Sequence, residues 1–302
     1  VHQNEQVYDL LCLGTSVPQT IEGDTKSFTI DFIDWQHPEN NTYYCTAEFA
    51  VERIGKQKHQ VPDIVLFVNG IPLAVIECKR SAYAHARKKS PVDIAIDQLR
   101  DYQAKDGIPQ LFLYSQLLLA LARDKAEYGT TGTPRKFWTV WRESGLDAEI
   151  RELLASDELG SASGSPSPRD SAATDKLLSG PLADVQDDFM AVLQQGRSVY
   201  EQDRLLYALC RPDRLLELMY KFIVFDNGTK KIARYQQYFT VCDVLERVLG
   251  APPGEARPGG VGWQTQGSGK SLTMVRLAKC LALRARIMHP EVVLVTDRID
   301  LD

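Results

Sequence analysis

The chain has 302 residues, 44% of them hydrophobic and 25% charged, with a formal net charge of −5. That balance fits a globular protein of about two domains, and no stretch reaches the roughly 18–20 apolar residues a membrane helix needs, nor does a basic segment precede an apolar core at the start. The acidic balance excludes a protein that coats nucleic acid by bulk positive charge, and six scattered cysteines without a CxxC pair read as reduced thiols of a cytoplasmic protein.

In chain order, the first region covers residues 1–155. Its strand-like runs are 43–49, 64–68 and 73–76, and its helix-like run is 92–103. Residues 156–182 are rich in Ser, Ala, Gly and Pro. They carry too little apolar surface to offset the entropy of ordering, which predicts a flexible linker or insertion. A helical connector is expected over 183–230, with helical patterns at 185–195 and 215–225. Another amphipathic helix is expected at 231–249. Pro252, Pro253 and Gly254, then 258–260, break it from the last region. There a strand-like GVGW, a glycine-rich loop, a helix at 271–286 and a strand at 292–296 give a parallel α/β signature. A parallel sheet needs more strands than this, so the sequence is expected to be a piece of a longer chain.

The chemistry concentrates in 62–80, PDIVLFVNGIPLAVIECKR. Two apolar strands flank Asn69-Gly70, a hairpin turn signal. Asp63 opens the first strand, and Glu77 and Lys79 close the second on one face. Two carboxylates at one end of a hairpin repel unless a cation lies between them, and hard oxygen ligands suit Mg²⁺. A lysine one side chain further can hold or deprotonate a water for attack on phosphorus. A strict two-residue turn would pair Asp63 with Ile76 and put Asp63 and Glu77 on opposite faces. The site therefore requires one extra residue, expected in the loop as a bulge using Gly70 at positive φ. Downstream, Gln98 and Tyr102 are i,i+4 neighbours on one helix face. Lys79, Arg80, His85, Arg87, Lys88 and Lys89 form a basic cluster suited to phosphate contact. Glu48 or Glu52 is a possible further acidic ligand.

Pro62-Asp63 with Glu77-Cys78-Lys79 resembles the PD-(D/E)xK nuclease motif. The NGIPL turn, the IECKR strand and the Gln98…Tyr102 pair resemble the version found in the restriction subunit of type I restriction enzymes. So do the DFIDWQHPENNTYYCTAEFAVER stretch ahead of them and RPDRLLELMYKFIVFD at 211–226. The resemblance implies a mixed sheet flanked by helices as in restriction endonucleases. It makes Asp63, Glu77, Lys79, Gln98 and Tyr102 catalytic or supporting residues, with Asp63 and Glu77 on Mg²⁺.

The run Thr265-Gln266-Gly267-Ser268-Gly269-Lys270-Ser271 resembles a P-loop, with Gln264 where the usual first glycine stands. The loop's backbone N–H groups curl around phosphates, Lys270 reaches the β- and γ-phosphates, and Ser271 holds Mg²⁺. The QTQGSGKS form resembles superfamily 2 motors of type I restriction enzymes. Gln237, with Gln236 as rival, resembles their adenine-reading glutamine, and 297–302 resembles the next motor motif. The resemblance implies a truncated RecA-like ATP-binding domain over 231–302. A downstream acidic motif and a second motor domain fall outside this sequence, so this piece alone is not expected to hydrolyse ATP.

The resemblance implies a subunit that moves double-stranded DNA using ATP and cuts it, beside methylation and specificity subunits. Two alternatives are a RecB-like repair nuclease-helicase, whose nuclease usually follows its motor, and a nucleotide-binding interaction module with an inactive nuclease fold.

Overall fold

A computed structural model describes residues 2–55, 58–80, 89–155, 198–250, 259–283, 291–293 and 295. The linker expected at 156–182, the helix expected at 185–195, His85, Arg87 and Lys88 of the basic cluster, and 297–302 lie outside the described residues.

Helix α1 (His2–Leu13) leads into an exposed hairpin of β1 (Thr15–Ile21) and β2 (Asp24–Ile30). Then come β3 (Tyr43–Ala47), the short pair β4 (Val51–Glu52) and β5 (His59–Gln60), then β6 (Ile64–Val68) and β7 (Ile71–Cys78). Helix α2 (Pro91–Tyr102) crosses over to β8 (Leu117–Ala122), and β9 (Lys125–Gly129) follows. The five-stranded sheet has the order β3-β6-β7-β8-β9. Only β7 and β8 are parallel, and that pairing is the one that needs a crossover helix.

The start of α2 is written in its sequence. Ser90 accepts the Asp93 N–H as N-cap, and Pro91 occupies the first turn, where its missing donor costs nothing. Val92, Ala95, Ile96, Leu99 and Tyr102 recur at helical spacing and are buried against Val65, Val75, Leu118 and Ala120 of the sheet. The opposite face of the sheet presents Ala74, Ile76, Leu117, Leu119 and Leu121 to α1 and to the helices that follow.

Those helices are α3 (Leu146–Ala155), α4 (Glu201–Cys210) and α5 (Pro212–Phe222). A hairpin of β10 (Ile223–Asp226) and β11 (Thr229–Ile232) comes next, then α6 (Tyr235–Leu249) and α7 (Lys270–Ala282). Two expectations are corrected here. The helix expected at 215–225 stops at Phe222, and that expected at 231–249 begins only at Tyr235. Between them Asn227 (φ 47°) and Gly228 (φ 73°) make a two-residue turn, so the β-branched and aromatic run Ile223-Val224-Phe225 becomes a strand. The expected strand at GVGW is also absent among the described residues. Val261 and Trp263 are more than nine-tenths exposed, and no strand among the described residues pairs with them.

One buried cluster runs from Tyr8 and the sheet through Leu205, Leu216, Phe222 and Tyr238 to Cys280, so α7 packs on the same core as the sheet. The Tyr8 hydroxyl donates to Met219 O at 2.8 Å, and Trp35 stacks on Tyr220 at 5.1 Å. No helix among the described residues is long and apolar enough to cross a membrane.

Candidate active site

The hairpin β6–β7 decides whether the acidic residues meet. Its loop is the strict two-residue kind: Val68 pairs with Ile71, with Asn69 (φ 50°) and Gly70 (φ 81°) between them. The expectation of an extra loop residue is therefore corrected. The extra residue is Leu73, inside β7. Phe67 pairs with Pro72 and Leu66 with Ala74, which leaves Leu73 as a bulge. Pro72 explains the position, because it has no N–H for the ladder, and in sheets proline is confined to edges and bulges. Leu73 turns its carbonyl to the Gln116 N–H at 2.7 Å. From the bulge onward Ile64 faces Ile76, so the next step of the register sets Asp63 opposite Glu77. Val65 and Val75 lie in the layer under α2. With side chains alternating along each strand, Asp63, Glu77 and Lys79 share that face.

At this strand end the groups are interlocked. Asp63 Oδ2 accepts the Cys78 N–H at 2.6 Å. Lys79 Nζ lies 2.5 Å from Glu77 Oε1 and 3.8 Å from Asp63 Oδ2. Lys79 is held in turn by its own N–H, which donates to Leu121 O at 2.8 Å. Glu77 is fully buried, whereas Asp63 is partly exposed. Burial pushes Glu77 up to about 7; the Lys79 ammonium opposes that rise and the Asp63 carboxylate adds to it. Glu77 Oε2 is buried without a hydrogen-bond partner. A buried carboxylate oxygen with no donor is an unsatisfied lone-pair site. Together with Asp63 it makes a hard-oxygen donor pair of the kind that suits a divalent cation.

Gln98 and Tyr102 come from α2, which lies over this face. Gln98 Nε2 donates to the Tyr102 hydroxyl at 2.5 Å, and that hydroxyl donates to Val61 O at 3.1 Å, two residues before Asp63. Burial raises the Tyr102 pKa; the Gln98 hydrogen bond opposes that rise and the Glu77 and Asp63 charges add to it. Glu48 and Glu52 do not join it. Among the described residues no group of three His, Cys, Asp or Glu side chains converges as a metal cage. Glu48 instead hydrogen-bonds by its backbone N–H to Asp63 O at 2.8 Å, and Glu52 lies 3.8 Å from His59.

The second constellation centres on 264–271. Gly267 (φ 78°) and Gly269 (φ 86°) take left-handed backbone, and Gly269 caps α7. Lys270 and Ser271 open the helix on an exposed surface. The first N–H groups of a helix have no partner within it, and with the helix dipole they favour an anion. Thr265, Gly267, Ser268 and Gly269 precede them in one loop, where Ser268 N donates to Thr265 O at 3.3 Å. Gln237 is buried against this loop, and Gln236 is exposed. Arg276, which the motif reading passed over, is fully buried behind both. Its signal was a further cation six residues after Lys270, on a helix that also carries Lys279.

Residues 1–137 match the family model for the type I restriction enzyme R protein N terminus, and 236–302 match that of the SWI2/SNF2 ATPase. Over its whole length the chain is 29% identical to the type I restriction enzyme HindI endonuclease subunit of Haemophilus influenzae, covering 24% of that protein. Over 98% of its length it is 28% identical to the putative type I restriction enzyme MjaIXP endonuclease subunit of Methanocaldococcus jannaschii, covering 25% of it. The chain thus spans about a quarter of the length of the curated relatives it matches. The family match on the first 137 residues contains the whole acidic constellation, and the relatives extend the likeness across the remainder. On these grounds the chain is similar along its whole length to the endonuclease subunits of type I restriction enzymes, with the R protein N-terminal domain matched at 1–137.

Proposed function

We propose that the chain supplies the DNA-cleaving site and the first nucleotide-binding elements of an ATP-dependent endonuclease subunit. In this reading the complete protein translocates double-stranded DNA in the cytoplasm beside methylation and specificity subunits. The observation that carries it is the Leu73 bulge, which brings Asp63 opposite Glu77 and leaves Glu77 Oε2 without a donor.

Asp63 and Glu77 would hold Mg²⁺, which when bound supplies a Lewis acid beside the scissile phosphate and its leaving oxygen. The chain's own residues do the rest. Lys79, anchored on Glu77 and within 3.8 Å of Asp63, holds its ammonium where an attacking water or a phosphate oxygen would lie. The Cys78 N–H fixes one Asp63 oxygen and leaves the other to turn outward. Gln98 and Tyr102 tie α2 to the Val61 carbonyl and so fix the approach to the strand end. Lys89 and Arg80 lie on the segment between this motif and α2, where a DNA backbone would pass.

At the other site, Gly267, Ser268 and Gly269 would wrap nucleotide phosphates, with Lys270 and Ser271 at the β- and γ-phosphates and at the nucleotide's Mg²⁺. The segment 231–302 is read as the start of a RecA-like fold. The nuclease reading is tested by nicking of supercoiled DNA in Mg²⁺ by the complete protein and its Glu77→Ala variant. Nicking that persists in the variant ends the assignment of Glu77.

A further inference from the structure

Gln237 stands in the sequence where a glutamine would read adenine, but its hydrogen-bonding capacity is spent elsewhere. Its Nε2 donates to Ser268 O at 2.9 Å and to Gly269 O at 3.3 Å. Its Oε1 accepts the Arg234 N–H at 3.0 Å and Arg276 Nη1 at 2.8 Å. A side-chain amide has two donor hydrogens and two acceptor lone pairs, and all four are engaged. Nothing remains for a base unless one of these bonds breaks. The fit is also close: a Cβ at Gly269 would come within 2.6 Å of Gln237 Nε2, a second reason beyond its φ for glycine there.

The partners of Gln237 are chosen in a telling way. In a trans peptide the C=O of one residue and the N–H of the next point in opposite directions. A Ser268 carbonyl turned to Gln237 therefore sends the Gly269 N–H away from it. A Gly269 carbonyl turned to Gln237 and to the Thr273 N–H, at 3.1 Å, does the same for the Lys270 N–H. These are the two amides at the loop–helix junction where an anion would be cradled. Behind them, Arg276 is fully buried, and its three hydrogen bonds all go to neutral oxygens: Phe222 O, Lys231 O and Gln237 Oε1. Among the described residues no carboxylate contacts it, and a buried guanidinium left so is costly. Its charge is passed forward instead through Gln237 Oε1, Gln237 Nε2 and the Ser268–Gly269 peptide, a hydrogen-bonded series in which each member polarises the next.

We propose that Gln237 and Arg276 are positioning residues for a nucleotide's phosphate chain. Arg276 orients and polarises Gln237, and Gln237 sets the two peptide planes of the cradle, so neither reads the base. This rests on the nucleotide reading of 264–271. The discriminating probe is inorganic tripolyphosphate, which carries the phosphates without the base.

Calorimetric binding of ATP, tripolyphosphate and adenosine to the full chain in Mg²⁺ tests it. Gln237→Ala weakens ATP and tripolyphosphate by the same factor, about tenfold. Arg276→Gln weakens both, and adds little on the Gln237→Ala background because it acts through the same amide. Should Arg276→Gln fail to fold, Gln237→Glu answers alone. It keeps an oxygen for Arg276 but sets a carboxylate against two carbonyls, so tripolyphosphate binding falls while the melting temperature holds. Loss of ATP affinity with tripolyphosphate unchanged in Gln237→Ala would make Gln237 a base reader and overturn the proposal, as would wild-type tripolyphosphate binding by Gln237→Glu. A wild-type chain that binds neither ATP nor tripolyphosphate ends the nucleotide reading itself, and this inference with it.

Discussion

Asp63 accepts the backbone N–H of Cys78 at 2.6 Å, which ties the first acidic residue to the peptide that follows the second. One carboxylate oxygen thus holds the strand end together while the charge serves the site. The two roles separate by substitution. Asp63→Asn keeps an oxygen for Cys78 and loses the charge, so its unfolding free energy stays within about 0.5 kcal/mol of wild type while cleavage disappears. Asp63→Ala loses the bond as well and costs about 1 kcal/mol more. Urea unfolding alongside a cleavage assay distinguishes them. Equal destabilisation by both would assign Asp63 no structural tie.

Glu77 sets a pH dependence. Its folded pKa, raised by burial from 4.5 to about 7, makes the folded state hold a proton that the unfolded chain releases. Stability therefore falls as pH rises through that window, by an amount on the order of 2 kcal/mol between its ends, and is recovered on acidification. Glu77→Gln removes this contribution. Melting temperatures of the two proteins at pH 5 and pH 8 check it: wild type loses more on the alkaline step than the variant. Added Mg²⁺ raises the wild-type melting temperature at pH 8 and not at pH 5, because the cation needs the ionised form. A wild-type profile parallel to that of Glu77→Gln contradicts the burial argument.

Tyr102→Phe removes the hydroxyl between Gln98 and Val61 O. The lost bonds cost about 1 kcal/mol of stability. With the Val61–Asp63 segment no longer tied to α2, cleavage slows about tenfold, while the stabilising effect of Mg²⁺ remains. Single-turnover cleavage and Mg²⁺-dependent melting on the same preparation separate these effects. A loss of the Mg²⁺ effect would place the hydroxyl on the cation instead.

The sequence shows the acidic constellation because ligand chemistry fixes both residue type and spacing: Asp63, Glu77 and Lys79 are legible as a set, and Gln98 with Tyr102 from the helical repeat. Register was legible only as a condition. The extra residue had to exist, and Pro72 marked its place, but the turn signal of Asn69-Gly70 drew attention to the loop. The same turn chemistry at Asn227-Gly228, between the helices expected at 215–225 and 231–249, passed unread, because apolar Ile223, Val224 and Phe225 suit either a buried helix or a strand. The roles of Gln237 and Arg276 lay beyond reach, since they depend on contacts across 31 and 39 residues of chain.

Two separate sites on one chain imply a one-way dependence between them. Lys270→Ala removes a cation from the nucleotide's phosphates, so ATP turnover falls, and cleavage that depends on translocation falls with it. Glu77→Ala removes a carboxylate from the other site alone.

In the proposed function, Glu77 serves DNA cleavage and not the motor. This is tested most directly by measuring ATP turnover and DNA cleavage together for the complete protein carrying Glu77→Ala, with folding followed by circular dichroism. ATP turnover is expected within about twofold of wild type, with cleavage reduced at least about a hundredfold. Cleavage at the wild-type rate, or ATP turnover lost together with cleavage in a folded variant, would contradict it.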